Sequence, residues 1–187
     1  MTRLTTRVFI IIAVIGTLAI ITLGLFLPTQ TSSTASSQIA AQHTVGLKVG
    51  NIAPDFTLLT PNGKKISLSN YNGMPIMLNF WRINCDGCLA EIPDMQRFYA
   101  TQQAAHKDFA ILGVNVADDA QTATLFAQRH NLTYPIVLDQ NFAVSGQYNV
   151  SGIPTSYFIN RKGIIVAVEL GPVVAARLQQ DITLISA

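Results

Sequence analysis

Cys85 and Cys88 are the only two cysteines in the chain, and two residues separate them within the stretch WRINCDGCLAEIPD. A pair at this spacing can form a redox-active disulfide, supply half of a metal site or close a small structural disulfide. A structural zinc site normally takes four ligands. The chain has no second cysteine pair, and His43, His106 and His130 are scattered along it. The sequence therefore favours a redox pair, with no metal and no other cofactor.

The elements around the pair are suited to this chemistry. The apolar run PIMLNFW, residues 75–81, is typical of a buried strand. From Cys88 to about His106, apolar residues recur at spacings of three and four, which predicts an amphipathic helix that Pro93 interrupts early. A helix N-terminus favours a thiolate and lowers a thiol pKa from about 8.5 to between roughly 3.5 and 7.5. We therefore expect Cys85 to be the nucleophile and Cys88 to resolve the mixed disulfide.

The two residues between the cysteines, Asp86 and Gly87, are expected to tune the redox balance of the pair. A carboxylate beside Cys85 opposes formation of the thiolate, because like charges repel. The disulfide is then comparatively stable. This favours a reductant over a strong oxidant.

Strand and helix patterns alternate over residues 45–187, which we interpret as one domain. Residues 55–68 are expected to form a β-hairpin around the turn Pro61-Asn62-Gly63. Further strands are predicted at residues 109–116, 134–139, 153–160 and 163–170, and further helices at residues 120–130, around 142–148 and at 172–185. The predicted fold is α/β, with a mixed sheet covered by helices on both faces.

The N-terminal region predicts a membrane anchor. Residues 8–27 carry no charge, and a helix of this length reaches across the roughly 30 Å hydrocarbon layer of a bilayer. A cleaved signal peptide is the alternative, but its apolar core is usually about 7 to 15 residues. Because Arg3 and Arg7 precede the run, residues 1–7 are expected in the cytoplasm and the domain outside the cell membrane. Residues 28–44, rich in Ser, Thr and Gln, are predicted to be a flexible linker.

The charge of the outer domain excludes one class of partner. Two of the twelve Lys and Arg precede the apolar run, which leaves ten against ten Asp and Glu. Nucleic-acid binding needs a basic surface. We expect no nucleic-acid partner.

The stretches APDF, NFWRINCDGCLAEIPDM and VSGIPTSYFINRKG closely resemble the thioredoxin-like TlpA/ResA type of membrane-tethered thiol-disulfide oxidoreductase, over roughly residues 47–187. The resemblance implies a thioredoxin-like fold. It also implies that the Ile153-Pro154 bond is cis and packs against the disulfide, and that the Ile153 backbone pairs with the substrate chain. Trp81 is expected in the core and the active-site wall, and it is counted with Ile153 and Pro154 among the substrate-binding residues.

Two departures from the family pattern bear on the site. Most relatives have Trp before the first cysteine and Pro before the second, where this chain has Asn84 and Gly87, so a redox potential does not transfer. Thioredoxins carry a buried Asp in the preceding strand, and the matching residue here is Asn79. Glu91, which matches a Glu of the TlpA/ResA type, is then the candidate acceptor for the Cys88 proton.

The resemblance implies an enzyme that reduces disulfides of exported proteins, with the CxxCH motif of an apocytochrome c as one candidate substrate in cytochrome c maturation. A transmembrane thiol carrier of the CcdA or DsbD kind is the implied electron donor. Two alternatives have the same fold. A peroxiredoxin-like peroxidase would use a PxxxTxxC pattern, but Leu78 and Arg82 occupy its Pro and Thr positions. A copper-binding assembly factor of the SCO kind would use CxxxC and a distant His.

Overall fold

A computed structural model describes residues 43–186 of the chain. The predicted cytoplasmic segment 1–7, the predicted anchor 8–27 and nearly all of the predicted linker 28–44 lie outside the described residues. Within residues 43–186, none of the helices combines the length and the apolar character that a membrane span requires.

One seven-stranded mixed sheet organises residues 57–170, in the strand order β2-β1-β5-β4-β3-β6-β7. The strands β3, β4 and β5 run parallel, whereas β1 and β6 lie antiparallel to their neighbours β5 and β3. The predicted N-terminal hairpin is confirmed as β1 and β2. The strand bounds are β1 Thr57–Leu59, β2 Lys65–Ser67, β3 Ile76–Trp81, β4 Ala110–Val116, β5 Ile136–Asp139, β6 Thr155–Ile159 and β7 Ile165–Leu170.

Helices lie on both faces of the sheet, as predicted. They are a 3₁₀ helix, Leu68–Tyr71, and four α-helices: α1 Asp86–Ala104, α2 Ala120–Arg129, α3 Ala143–Gln147 and α4 Ala175–Ser186. Every residue of β3 is buried, because apolar clusters cover it on both faces. This explains why its sequence is apolar throughout instead of alternating. The fold is therefore thioredoxin-like α/β.

The prediction that Pro93 interrupts the active-site helix is wrong. Helix α1 continues through Pro93 without a break. A proline inside a helix removes one backbone hydrogen bond and costs about 3 kcal/mol. The helix tolerates this cost because Cys88, Ile92 and Met95, on both sides of the proline, are buried against the sheet. Tertiary packing thus outweighs the local preference.

Two helix boundaries also differ from the predictions, and both differences concern the site. Helix α1 begins at Asp86, two residues earlier than the periodic pattern indicated, with Cys85 as its N-cap. Helix α4 begins at Ala175 instead of residue 172. The N–H of Gly171 donates to the carbonyl of Pro154, and the N–H of Val173 donates to a side chain of α1. These bonds hold residues 171–173 beside the first turn of α1.

Candidate active site

The two cysteines lie where β3 passes into α1, and they form a disulfide with Cα atoms 5.2 Å apart. The Sγ of Cys85 accepts a hydrogen bond of 3.1 Å from the N–H of Cys88, one of the free donors at the helix start. Cys85 is partly exposed, whereas Cys88 is completely buried. A substrate disulfide therefore reaches the sulfur of Cys85 first, in keeping with the predicted order of the two thiols.

The Ile153-Pro154 peptide bond is cis, as the resemblance implied. Pro154 is buried and packs against the first turn of α1 at Gly87. A Cβ atom at Gly87 would lie 3.3 Å from Cδ of Pro154 and 3.0 Å from Cγ of Pro172. The chain thus has glycine at this position beside two prolines that leave little room for a side chain. Gly87 shapes the site through this close approach.

The backbone of Ile153 faces the disulfide. Its carbonyl oxygen lies 3.8 Å from Sγ of Cys85. In the disulfide this sulfur carries no proton, and after reduction its S–H can donate to the carbonyl. Within residues 43–186, neither the N–H nor the C=O of Ile153 pairs with another backbone group. Both are available to an extended chain that passes Cys85.

The proposed contact between Trp81 and the substrate requires a correction. The Trp81 side chain has no exposed surface, and its ring lies 5.1 Å from that of Phe126, centroid to centroid. Because Trp81 is the last residue of β3, it supports the active-site wall from the interior. It offers a substrate no surface.

Glu91 is buried one turn beyond Cys88 on α1, with 2% of its surface exposed. Its Oε1 accepts a hydrogen bond of 2.8 Å from Nδ2 of Asn79, and its Oε2 accepts one of 2.8 Å from the N–H of Val173. Burial raises the pKa of Glu91 to about 7, although both hydrogen bonds act to lower it. The carboxyl group can therefore gain and lose a proton near neutral pH.

The sequence predicts only part of the polar network around Glu91. It matches Asn79 to a thioredoxin position, but it does not indicate Ser156, the second partner of Asn79, or Val173, which also donates to Glu91. Nδ2 of Asn79 donates to Oγ of Ser156 at 2.9 Å, and the two residues are opposite each other on β3 and β6. One signal in the sequence was available. Asn79 and Ser156 are polar residues inside apolar strands, and because buried polar side chains need partners, such residues are candidates to bond each other.

Asp86 is the first residue of α1, and its side chain is exposed. It forms no ion pair with any residue in the described range. Its carboxylate is therefore not neutralised by a basic side chain there. It follows Cys85 directly in the sequence.

The raised pKa of Glu91 predicts how stability depends on pH. The unfolded chain ionises this group near 4.5 and the folded protein near 7, so the folded state binds the proton more tightly. The stability contribution of Glu91 is present below pH 4.5 and is lost as the pH rises to about 7. We expect Glu91→Gln to be more stable than the parent at pH 8, by up to about 3 kcal/mol, with most of this advantage gone at pH 4.

Urea unfolding of the oxidised protein across this pH range measures the effect. Asp86→Asn, which changes an exposed carboxylate on the same helix, is the matched control and should show little change with pH. An advantage of Glu91→Gln that is equal at pH 4 and pH 8 would contradict the prediction.

Comparison with known proteins agrees with this geometry. The AhpC/TSA family model matches residues 49–168, more than half of the chain. Thiol-disulfide oxidoreductase ResA of Geobacillus kaustophilus is 37% identical over 123 residues, which are 66% of this chain and 70% of ResA.

Two solved structures have the same fold. StoA of Bacillus subtilis superposes with a TM-score of 0.59 at 31% identity and covers 68% of this chain and 96% of StoA. A secreted thiol-disulfide isomerase of Corynebacterium glutamicum superposes with a TM-score of 0.62 at 26% identity, over 68% of this chain and 80% of the isomerase. This chain therefore belongs to the AhpC/TSA family, and it is a thioredoxin-fold thiol-disulfide oxidoreductase similar to ResA.

Proposed function

We propose that this enzyme reduces disulfide bonds of exported proteins on the outer side of the cell membrane. The observation that indicates the direction of electron transfer, from the enzyme to the substrate, is the set of polar groups near the Cys85 sulfur. The N–H of Cys88 and the helix start favour a thiolate there. The carbonyl oxygen of Ile153, at 3.8 Å, opposes it, and so does the carboxylate of the next residue, Asp86, which forms no ion pair within residues 43–186. A thiolate that is weakly stabilised makes the dithiol a better reductant.

The reaction proceeds through a mixed disulfide. The Cys85 thiolate attacks one sulfur of the substrate disulfide, and the other substrate sulfur leaves as a thiolate. Glu91 accepts the proton of Cys88, and the Cys88 thiolate attacks Sγ of Cys85. The second substrate sulfur then leaves, so the substrate gains two electrons and the enzyme becomes the Cys85–Cys88 disulfide.

The substrate binds mainly through its backbone in this proposal. The free N–H and C=O of Ile153 pair with an extended segment of the substrate, which brings its disulfide to Cys85. Because this pairing uses backbone groups, it depends little on which side chains the substrate segment carries. An apocytochrome c with a CxxCH motif is one substrate of this kind.

Regeneration of the dithiol requires two electrons from outside the domain. In an exported domain these electrons must cross the membrane, and we propose a transmembrane thiol carrier of the CcdA or DsbD kind as the donor. The uncharged residues 8–27 support anchoring in the same membrane. The secreted isomerase of similar fold supports an extracytoplasmic location.

The proposed location predicts a topology. Protease added to intact cells, or to spheroplasts where an outer membrane is present, is expected to digest residues 45–187 and leave a fragment of residues 1–27 in the membrane. The reason is that Arg3 and Arg7 hold the N-terminus in the cytoplasm. Complete protection of the domain would contradict the location. Recovery of an N-terminally shortened, freely soluble protein would show that the apolar run is a cleaved signal peptide.

A further inference from the structure

The charged side chains of the domain are divided between its two ends. Strands β3, β4 and β5 run parallel, so their carboxyl ends share one edge of the sheet, and the disulfide follows the end of β3. Asp86 directly follows the first cysteine, and Asp119 follows β4 as the N-cap of α2. Asp118 accepts a hydrogen bond of 2.9 Å from the N–H of Ile83, just before the cysteines. Arg82 offsets one of the three charges, so these residues leave a net negative charge at the disulfide end.

The first described segment of the chain lies at the opposite end of the sheet. The N–H of Gly50 donates to the carbonyl of Ile165 at 2.8 Å, and the N–H of Ala53 donates to that of Gly163 at 2.9 Å. Both acceptors lie where β6 turns into β7. Because β6 runs antiparallel to β3, this turn lies beside the amino end of β3, away from the disulfide.

A second set of contacts adds the residues before β3 and β4 to this end. The guanidinium group of Arg161, in the β6–β7 turn, donates to the carbonyl of Gly73 at 2.9 Å. It also lies 3.6 Å from the carboxylate of Asp108, and the residue before it, Lys107, follows the end of α1. Helix α1 has 19 residues and rises about 1.5 Å per residue, so the disulfide lies roughly 30 Å from this end.

Four exposed basic residues lie on this surface, which we call the basic end: Lys48, Lys107, Arg161 and Lys162. Asp108 offsets the charge of Arg161, whereas the three lysines form no ion pair within residues 43–186. Val45 and Val49, which flank Lys48 in the sequence, are 67% and 62% exposed. Lysines beside exposed apolar side chains are suited to the headgroup region of an anionic membrane.

The chain also enters the domain at the basic end. Residues 28–42 separate the described chain from the predicted anchor, residues 8–27. A flexible segment of about 15 residues spans about 20 Å on average. Because the disulfide lies roughly 30 Å beyond the basic end, a tether of this length favours contact between the membrane and the basic end.

We propose that the basic end binds the anionic lipid surface of the membrane and directs the disulfide away from it, toward the exported substrates. This orientation rests on the anchoring proposed above. One lysine near an anionic surface strengthens binding about fivefold, so three lysines favour the docked orientation about a hundredfold at low salt. The same surface repels the carboxylates of Asp86 and Asp119 at the other end.

The orientation affects the two partners of the enzyme differently. An exported protein reaches the disulfide from outside, without contact with the lipid. The thiols of the electron donor must instead extend roughly 30 Å beyond the lipid surface to reach it. Docking at the basic end therefore favours exchange with substrates over exchange with thiols inside the bilayer.

Nuclear magnetic resonance of the oxidised full-length protein in lipid nanodiscs tests the orientation. A gadolinium chelate on a small fraction of the lipid headgroups broadens the amide signals of residues close to the surface. In nanodiscs that contain phosphatidylglycerol, an anionic lipid, we expect broadening at residues 45–50 and 161–163 and little at residues 84–90. This preference should be lost in nanodiscs of zwitterionic phosphatidylcholine. It should also be lost in anionic nanodiscs at about 1 M salt, where the Debye length is about 3 Å.

Charge reversal at the basic end tests which residues make the contact. Lys48→Glu with Lys162→Glu is expected to lower the ratio of docked to free domain about thirtyfold or more, because two attractive charges become repulsive. Lys65→Glu with Arg97→Glu is the matched control, since it makes the same change in net charge at exposed residues of β2 and α1, away from the basic end. The control should keep the broadening at residues 45–50.

Equal broadening in anionic and zwitterionic nanodiscs would overturn the proposal and leave an acidic protein as the partner of the basic end. Broadening centred on residues 84–90 would overturn it as well, and so would a charge-reversed variant that behaves as the parent does. None of these measurements depends on the direction of electron transfer.

Co-elution of the protein with zwitterionic nanodiscs tests the anchor separately, because that surface offers the lysines no attraction. A protein that fails to co-elute there, but shows the expected broadening with added anionic nanodiscs, would contradict the anchor and support the lipid contact. The absence of broadening with both kinds of nanodisc would contradict the lipid contact too.

Discussion

Cys88→Ser is expected to accumulate mixed disulfides through Cys85, whereas Cys85→Ser is expected to form almost none. Cys85 is partly exposed at the helix start, and Cys88 has no exposed surface. A substrate disulfide can therefore approach the sulfur of Cys85 but not that of Cys88 in the folded domain. We therefore expect at least a tenfold difference in trapped product.

Non-reducing gel electrophoresis of cells that express each variant measures this difference, and the double variant, Cys85→Ser with Cys88→Ser, is the control for adventitious bands. Identification of the trapped proteins also supplies the substrate. Equal trapping by both single variants would show that the assigned order of the thiols is wrong.

Glu91→Gln is expected to slow release of the mixed disulfide by about a hundredfold, the usual lower range for the loss of a general acid or base. Formation of the mixed disulfide should change by less than about threefold, because Cys85 attacks without help from Glu91. In the parent, release should accelerate as the pH rises through about 7, where the carboxyl group loses its proton. In Glu91→Gln this rise near pH 7 should be flattened.

Single-turnover kinetics with a disulfide-bonded peptide separate the two steps, since acid quenching traps the mixed disulfide. Asp94→Asn is the matched control, because it removes a carboxylate from the same helix that pairs with Arg97 and lies outside the buried network. A loss of rate in formation and release alike would contradict the assigned role. Such a result would indicate that Glu91 acts on the site as a whole.

Much of the scaffold was predictable from local pattern. The apolar run at residues 75–81 indicated a strand buried on both faces, and the turn at Pro61-Asn62-Gly63 indicated the hairpin. Both signals depend on near neighbours in the sequence. The continuity of α1 through Pro93 was not predictable in this way, because contacts with the sheet stabilise the helix there.

The spacing of the cysteines in the sequence was enough to identify them. The network around Glu91, in contrast, depends on how strands and helices pair in the folded domain. Ser156 lies opposite Asn79 only because β6 pairs antiparallel with β3. Val173 reaches Glu91 because residues 171–173 remain outside helix α4. Sequence patterns do not encode such contacts between distant residues.

The reduction potential of the Cys85–Cys88 pair tests the central proposal most directly. Equilibration with glutathione or dithiothreitol, followed by alkylation of the free thiols, measures it. If Asp86 and the Ile153 carbonyl oppose the Cys85 thiolate, the potential should lie near thioredoxin-like values of about −270 mV. Asp86→Ala should move it toward more oxidising values and accelerate alkylation of Cys85 below pH 7. A potential near about −120 mV in the parent, unchanged in Asp86→Ala, would contradict the reductant assignment and reverse the proposed direction of electron flow.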